Sequence, residues 1–138
     1  GLPFRLPFEA EWEYAARGRL KTKNFIYAGS NNAEQVAWFR EKYYNTYVSK
    51  ETGTKKPNEL GLYDMSGNVY EWCMDWYDRK VPFTGNIAPV ISEKDTHKVL
   101  RGGSYYTFEK YCKVTSYGVN PQRWDIDYGL RLVVSLPN

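Results

Sequence analysis

The sequence of 138 residues contains one histidine, two cysteines and no long apolar run, and each scarcity argues against a class of function. A single histidine, His97, is too few for a His-based zinc site, and no nucleophile motif accompanies it to form a catalytic triad. No apolar stretch approaches the ~20 residues that a membrane-spanning helix requires. The 19 lysines and arginines are scattered among 16 acidic residues, so neither a membrane span nor nucleic-acid binding is predicted.

The two cysteines, Cys73 and Cys112, leave three alternatives open. Unpaired cysteine is among the most frequently buried residue types, which favours two buried thiols. A single disulfide would instead indicate an exported protein, and a copper-binding or catalytic role is the third alternative. The sequence therefore leaves the compartment open, with an exported or cell-surface location among the alternatives, and it does not define the oligomeric state.

Aromatic residues, in contrast, are abundant, with 13 Tyr, 6 Phe and 5 Trp. The length of the chain predicts a single domain over residues 1–138. Three of the tyrosines occur close together near two lysines, and this segment is interpreted as a solvated loop with partly covered rings. They are Tyr43, Tyr44 and Tyr47.

A short helix is predicted over residues 8–17. Pro7 presets the backbone for a helix start, and three glutamates in the first turns suit the positive end of the helix. Trp12 and Ala16 are four positions apart and therefore share one face. Gly18 is suited to end the helix, because glycine adopts the left-handed conformation at low cost.

A glycine-rich and aromatic stretch over residues 58–76 lies at the centre of the chain. Gly61 and the cluster at 66–68 predict tight turns. Asp64 and Glu71 flank the second turn, so two carboxylates could converge with turn carbonyls on one hard cation. In the alternative arrangement, Asp64 caps its own turn and Glu71 pairs with an arginine.

Four segments follow one another in a characteristic order. Residues 61–72 read Gly-Leu-Tyr-Asp-Met-Ser-Gly-Asn-Val-Tyr-Glu-Trp, and the others are residues 5–17, 99–104 and 128–133. Together they resemble the formylglycine-generating, or sulfatase-modifying-factor, family. The resemblance implies an α+β, C-type-lectin-like fold that is rich in loops, with short strands and few helices.

The resemblance begins only at the predicted helix and implies the C-terminal portion of the family domain. Members of the family usually carry a sizeable N-terminal portion before this point. We therefore expect either a minimal version of the fold or a partner segment that covers the exposed face. Members also usually have Thr at the position of Phe8, and the loss of that helix cap would cost roughly 1 kcal/mol.

The resemblance also implies one structural calcium ion in the central stretch. Its ligands would be the side chains of Asp64 and Glu71 and the backbone carbonyls of Gly67 and Val69. Ca²⁺ accepts such flexible cages of mixed carboxylate and carbonyl oxygens. The ion would tie an irregular loop to the core.

Catalytic members of the family carry two cysteines five residues apart after a Gly-Gly-Ser segment. The two thiolates bind Cu(I) and activate O₂, which oxidises a sulfatase cysteine to formylglycine. Alignment on residues 102–104 places the second cysteine on Cys112, after the expected Tyr111, but the first falls on Thr107. A hydroxyl is a poor ligand for Cu(I), which selects soft thiolates.

The remaining oxidase positions match in part. Ser104 and Asn68 are retained, whereas Tyr70 stands where catalytic relatives have Trp. A formylglycine-generating oxidase with copper is therefore the alternative function, with Cys112, Ser104, Asn68 and Tyr111 as its site residues.

A non-catalytic module that binds a protein or glycan is the favoured function. Seven aromatic residues occur between positions 105 and 128, interleaved with charged and amide side chains, a composition typical of binding surfaces. This layout is similar to the variable proteins of diversity-generating retroelements. The expected contact residues are Tyr106, Phe108, Glu109, Arg123 and Trp124. Alternate rings on a strand must belong to the core, so those of Tyr111 and Tyr128 are expected to point inward.

Overall fold

The computed structural model describes residues 3–40, 47–77, 97–120 and 125–135. Within these ranges it contains one α-helix, eight short strands and three turns of 3₁₀-helix. The strands are β1 (Phe4–Arg5), β2 (Ala37–Trp38), β3 (Ser66–Gly67), β4 (Tyr70–Trp76), β5 (Lys98–Arg101), β6 (Tyr117–Asn120), β7 (Tyr128–Gly129) and β8 (Val133–Val134). The helix α1 spans Glu9–Ala16, and the 3₁₀ turns are Arg19–Lys21, Ala33–Gln35 and Glu109–Tyr111.

The strands form one central sheet and two small pairs. The central sheet has the strand order β6-β5-β4-β7. Its β5 strand pairs antiparallel with β4 and β6, whereas β7 pairs parallel with β4. The β1 and β8 strands pair antiparallel and join the two ends of the described chain, and β2 pairs parallel with β3. This mixture of short strands, loops and a single described helix agrees with the predicted α+β class. None of the described helical segments is long and apolar enough to cross a membrane.

The core lies between the helix and the central sheet. Successive side chains of β4 alternate between the two faces of the sheet, so Cys73 is fully buried while Trp72 and Met74 are only partly covered. Cys73 packs in one cluster with Trp12 of the helix and Met65 of the central stretch. The helix α1 thus covers one face of β4.

The helix α1 starts one residue later than predicted, and its missing cap is replaced from the sheet. Phe8 occupies the cap position and offers no side-chain acceptor, but its backbone N–H donates to Glu11 Oε2 at 2.8 Å. The N–H of Glu9 donates to Asp75 Oδ2 at 2.6 Å. A carboxylate on β4 therefore satisfies a backbone donor at the positive end of the helix. Gly18, with a φ of +84°, ends the helix as predicted.

A buried arginine on β5 fastens the helix to the sheet. The Arg101 side chain is fully buried, and its guanidinium lies 5.1 Å from the centre of a Trp12 ring. It donates to Glu13 Oε2 and to the carbonyl oxygens of Val114 and Ser116. One side chain thus connects the helix, the sheet and the segment that follows Cys112.

Replacing Glu9 by Gln is expected to raise the melting temperature at about pH 8 and to change it much less at about pH 4.5. Glu9 Oε1 lies 3.6 Å from Arg101, yet burial raises the pKa of Glu9 from its ordinary value of 4.5 to about 7. The folded chain therefore binds a proton that the unfolded chain releases between these values, and stability falls as the pH rises through the window. Gln stays neutral at every pH, so the gain at the higher pH is on the order of 1–3 kcal/mol, measured by thermal unfolding.

Glu13→Gln is the matched control for this prediction. Glu13 accepts from Arg101 and, at 2.7 Å, from Arg17 Nε, so its carboxylate forms two ion pairs. Replacing it by Gln should lower the melting temperature at about pH 8, because this leaves a buried guanidinium without its nearest carboxylate. A loss of stability in the Glu9→Gln variant at about pH 8 would contradict the argument.

Candidate functional site

The candidate site begins at the two glycines that follow β5. Gly102 and Gly103 have φ angles of +92° and +73°, which glycine adopts at low cost. A Cβ atom on Gly103 would lie 2.7 Å from Cys112 Sγ and 2.8 Å from the carbonyl oxygen of Tyr111. The loop over residues 104–112 therefore folds back onto Gly103 and leaves no room for a side chain there.

Thr107 and Cys112 contact each other within this loop. Thr107 Oγ1 accepts from the Ser104 N–H at 3.0 Å and donates to the Ser104 carbonyl at 3.1 Å. Burial raises the pKa of the Cys112 thiol to about 12, and a hydrogen bond with the Thr107 side chain opposes part of the rise. The thiol is therefore protonated at neutral pH, and its neighbour is a hydroxyl instead of a second thiol. The contact agrees with the alignment of Thr107 with the first family cysteine.

Of the three alternatives for the cysteines, the structure contains two buried thiols. Cys73 and Cys112 are both unpaired and fully buried. Burial also raises the pKa of Cys73 well above its usual range. Neither thiol is exposed for reaction with a large substrate.

Ser104 and Asn68, the two retained oxidase positions, hold loops together. Ser104 Oγ donates to Asp127 Oδ2, which ties the candidate loop to the segment before β7. The Asn68 side chain accepts from the Lys50 N–H at 2.9 Å and donates to the Lys50 carbonyl at 3.2 Å. The Asn68 carbonyl in turn accepts from the Tyr105 N–H at 2.7 Å. Both side chains therefore position the segments that surround Thr107.

An exposed group of rings surrounds an arginine on the outside of the loop. Tyr106 and Phe108, on either side of Thr107, are 48% and 47% exposed, which confirms their predicted exposure. The guanidinium carbon of Arg40 lies 5.8 Å from the centre of the Tyr106 ring, 5.1 Å from that of Phe108 and 4.9 Å from that of Tyr47. We call the surface formed by Arg40, Tyr47, Tyr106 and Phe108 the aromatic face.

Sequence reasoning did not predict the part that Arg40 and Tyr47 play in this face. Arg40 is held there by its backbone N–H, which donates to the Thr107 carbonyl at 2.8 Å. The Tyr47 ring packs edge-on against Tyr106 at 5.2 Å. The tyrosine-rich composition around residue 47 was the available signal, but the contacts join positions about sixty residues apart, which sequence spacing does not indicate.

The other predicted contact residues have different outcomes. Glu109 is exposed, and its Oε1 accepts from the Tyr27 hydroxyl at 2.6 Å, so the carboxylate already has a partner within the chain. Arg123 and Trp124 lie outside the described residues, as do Tyr43 and Tyr44.

The inward orientation expected for Tyr111 is wrong. Tyr111 is 42% exposed, with the Lys110 ammonium 4.9 Å from its ring centre. The expectation assumed the alternation of a strand, but residues 109–111 form a 3₁₀ turn, in which that alternation does not apply. Tyr128 is partly buried on β7, where its ring meets those of Tyr70 and Trp72 edge-on.

The residues of the predicted calcium site fit the ion only in part. Glu71 accepts from Trp12 Nε1 at 2.6 Å and receives two bonds from Arg131, from Nη2 at 2.7 Å and from Nε at 2.9 Å. Its charge is thus already balanced by a guanidinium, as in the predicted alternative to calcium, in which Glu71 pairs with an arginine. Asp64 does not cap its own turn, because its Oδ2 accepts from the N–H of Gly53 at 2.8 Å. Asp64 Oδ1 is buried and has no hydrogen-bond partner among the described residues.

The two predicted carbonyl ligands lie in the same turn. The N–H of Gly67 donates to the Gly102 carbonyl at 2.7 Å, and a Cβ atom on Gly102 would lie 3.8 Å from the Val69 carbonyl oxygen. The central stretch and the candidate loop are therefore adjacent. Calcium binding by Asp64, Gly67, Val69 and Glu71 stays a prediction, with Asp64 as the residue that best fits the ion.

Comparisons with known proteins agree with the resemblance in sequence. Residues 3–136 match the family described as the sulfatase-modifying factor enzyme 1-like domain. The chain is 38% identical to the chaperone protein LppX of Paenibacillus barcinonensis over 96% of its own length and 49% of that protein. It is 35% identical to the formylglycine-generating enzyme of Streptomyces coelicolor over 78% of its length and 38% of that enzyme.

A solved structure shows the same fold. Variable protein 1 of Treponema denticola superposes with a TM-score of 0.77 at 36% identity, over 95% of this chain and 47% of that one. The predicted fold is therefore confirmed. The chain spans about half the length or less of these relatives.

Replacing Thr107 by Cys is expected to create a Cu(I) site. The new thiol would lie beside Cys112, and two adjacent thiolates are the ligands that Cu(I) prefers. Affinity, measured by competition with a chromogenic Cu(I) chelator under reducing conditions, should rise at least about tenfold over the wild type. Thr115→Cys adds a thiol at an exposed position and is the matched control. Equal copper binding by the wild type and both variants would contradict the assigned geometry.

Replacing Arg131 by Gln is expected to increase the stabilisation that calcium gives. With Arg131 in place, Glu71 is already paired, so Ca²⁺ must compete with a guanidinium for it. In the variant, millimolar Ca²⁺ should raise the melting temperature by several degrees more than in the wild type, relative to chelator.

Asp64→Gly in the Arg131→Gln background is the control for calcium binding. Asp64 has a φ of +57°, so glycine removes the carboxylate without straining the backbone. This double variant should lose the calcium response. The calcium site would be ruled out if Ca²⁺, relative to chelator, left the melting temperature unchanged in the wild type, in Arg131→Gln and in the double variant.

Proposed function

Because the chain belongs to the sulfatase-modifying-factor family, we propose that it is a non-catalytic module that binds a protein or glycan through the aromatic face. The observation that carries the proposal is the orientation of three consecutive side chains. Thr107 turns inward to Cys112, while Tyr106 and Phe108 on either side are nearly half exposed. The loop thus lacks a second thiol inside and presents rings outside.

The side chains of Thr107 and Cys112, at the positions of the two copper-binding cysteines, argue against oxidase chemistry. A linear Cu(I) site requires two soft thiolates, and Thr107 supplies a hydroxyl. The remaining thiol, Cys112, is packed against Gly103 and has a raised pKa. Since burial disfavours the thiolate, copper would also have to overcome that cost to bind a single sulfur.

The composition and exposure of the outer surface favour binding. Tyrosine and phenylalanine provide large contact areas with few rotatable bonds, and arginine and tyrosine are enriched at binding hot spots. The resemblance in fold to a protein named as a variable protein supports a binding role, as does similarity to one named as a chaperone. Neither name indicates an oxidase.

A formylglycine-generating oxidase is the second candidate, favoured by the 35% identity with an enzyme of that name. In that function the domain would convert a sulfatase cysteine to formylglycine with Cu(I) and O₂. Cys112 is in place for it, but Thr107 is not a thiol.

The oxidase candidate is tested with a Cys-x-Pro-x-Arg peptide, Cu(I), a reductant and O₂. Mass spectrometry is expected to show no conversion of the cysteine to an aldehyde by the wild type, because one of the two copper-binding sulfurs is absent. The Streptomyces coelicolor enzyme under the same conditions is the positive control, and the Thr107→Cys variant tests whether one added thiol is sufficient. Aldehyde formation by the wild type, above a blank without protein, would overturn the non-catalytic proposal.

A further inference from the structure

We propose that the ligand of the aromatic face is an acidic segment of another protein, and that Arg40 binds one of its carboxylates. This inference rests on the proposed binding function and names the chemistry of its partner. The Arg40 guanidinium lies in an environment different from that of the arginines that pair with a glutamate.

Three rings hold the Arg40 guanidinium in place. Its carbon lies 4.9–5.8 Å from the ring centres of Tyr47, Tyr106 and Phe108, within the range of cation–π attraction. The Tyr47 hydroxyl also accepts from Arg40 Nε at 3.2 Å. The backbone of Arg40 is fixed to the Thr107 carbonyl. An arginine that is already oriented loses less conformational entropy on binding than a mobile one.

The two Nη groups of this guanidinium have no hydrogen-bond acceptor among the described residues. Arginine has five N–H donors, and one of them, on Nε, is directed to Tyr47. Across the described ranges, the two Nη groups of Arg40 have no acceptor and no carboxylate lies within ion-pair distance. Arg5, Arg17, Arg101 and Arg131 each pair with a glutamate instead. Two adjacent Nη donors match the two oxygens of a carboxylate.

The surrounding surface favours a protein segment over a polyanion. Sulfated glycans and nucleic acids require several cations in a row, whereas the aromatic face contains one. The neighbouring lysines Lys50 and Lys55 lie over the Trp38 ring, at 5.8 and 3.9 Å from its centre. Half-exposed Tyr106 and Phe108 offer apolar area beside the single charge. A carboxylate flanked by apolar or aromatic side chains, as in an acidic peptide, complements both features.

The inference is tested by selecting peptides from a random phage-displayed library on the immobilised domain. Enriched peptides are expected to contain Asp or Glu beside an apolar residue. Their dissociation constants, measured by fluorescence anisotropy, should increase on the order of tenfold or more in the Arg40→Gln variant and should increase with salt concentration. Arg19→Gln is the matched control, because the Arg19 guanidinium also lies over a tyrosine, at 5.4 Å from the Tyr14 ring centre, outside the aromatic face. It should leave binding unchanged.

A second variant separates this inference from the proposed function. Tyr106→Ser with Phe108→Ser removes both exposed rings and should abolish peptide binding. The selected peptides could instead lack carboxylates and lose binding in this double variant but not in Arg40→Gln. That result would overturn the acidic ligand, whereas the proposed binding function would stand. If no peptide is enriched and no heparin oligosaccharide binds, or if neither variant affects the enriched peptides, both proposals fail. Tight binding of a heparin oligosaccharide that depends on Arg40, without enrichment of acidic peptides, would replace the protein ligand by a sulfated glycan.

Discussion

The buried guanidinium of Arg101 is the interaction on which the rest of the fold depends. It is fully buried, lies over the ring of Trp12, and donates to Glu13 and to two carbonyls in the segment after Cys112. A charge at such a depth is tolerated only when carboxylates and carbonyls satisfy it together. In the folded chain its burial therefore depends on the helix, the central sheet and the segment after Cys112 together.

The position of the aromatic face depends on the burial of Arg101. Arg101 ends β5, and the next two residues are the glycines on which the loop turns back. Ser104 then ties the loop to Asp127, and Thr107 ties it to Arg40 through their backbones. The rings of Tyr106 and Phe108 thus project from a loop that is fixed at its base and in its middle. A preorganised loop of this kind reduces the entropy lost when a ligand binds.

Local sequence signals predicted structural features that depend on residues close together in the chain. They did not predict contacts between residues that are far apart in it. The helix, its stop at Gly18 and the contact of Thr107 with Cys112 follow from short spacings or from the Gly-Gly-Ser alignment. The replacement of the helix cap by Asp75 joins positions 66 residues apart. The pairing of Glu71 with an arginine was one of the predicted alternatives, but which arginine was not predicted, since Arg131 lies 60 residues away. Spacing does not reveal such contacts, and Tyr111 was misassigned because a turn replaced the assumed strand.

Thr107 distinguishes the loop of this chain from the two-thiol arrangement that the oxidase function would require. Its hydroxyl makes two hydrogen bonds with the Ser104 backbone, beside the buried thiol of Cys112. A thiol at this position would be a weaker hydrogen-bonding group, and two adjacent buried thiols would favour a soft metal instead. In the proposed binding function, no reaction at the base of the loop constrains its outer side chains. The exposed rings beside Arg40 suit that function, because a ligand bound to them would not need access to Cys112.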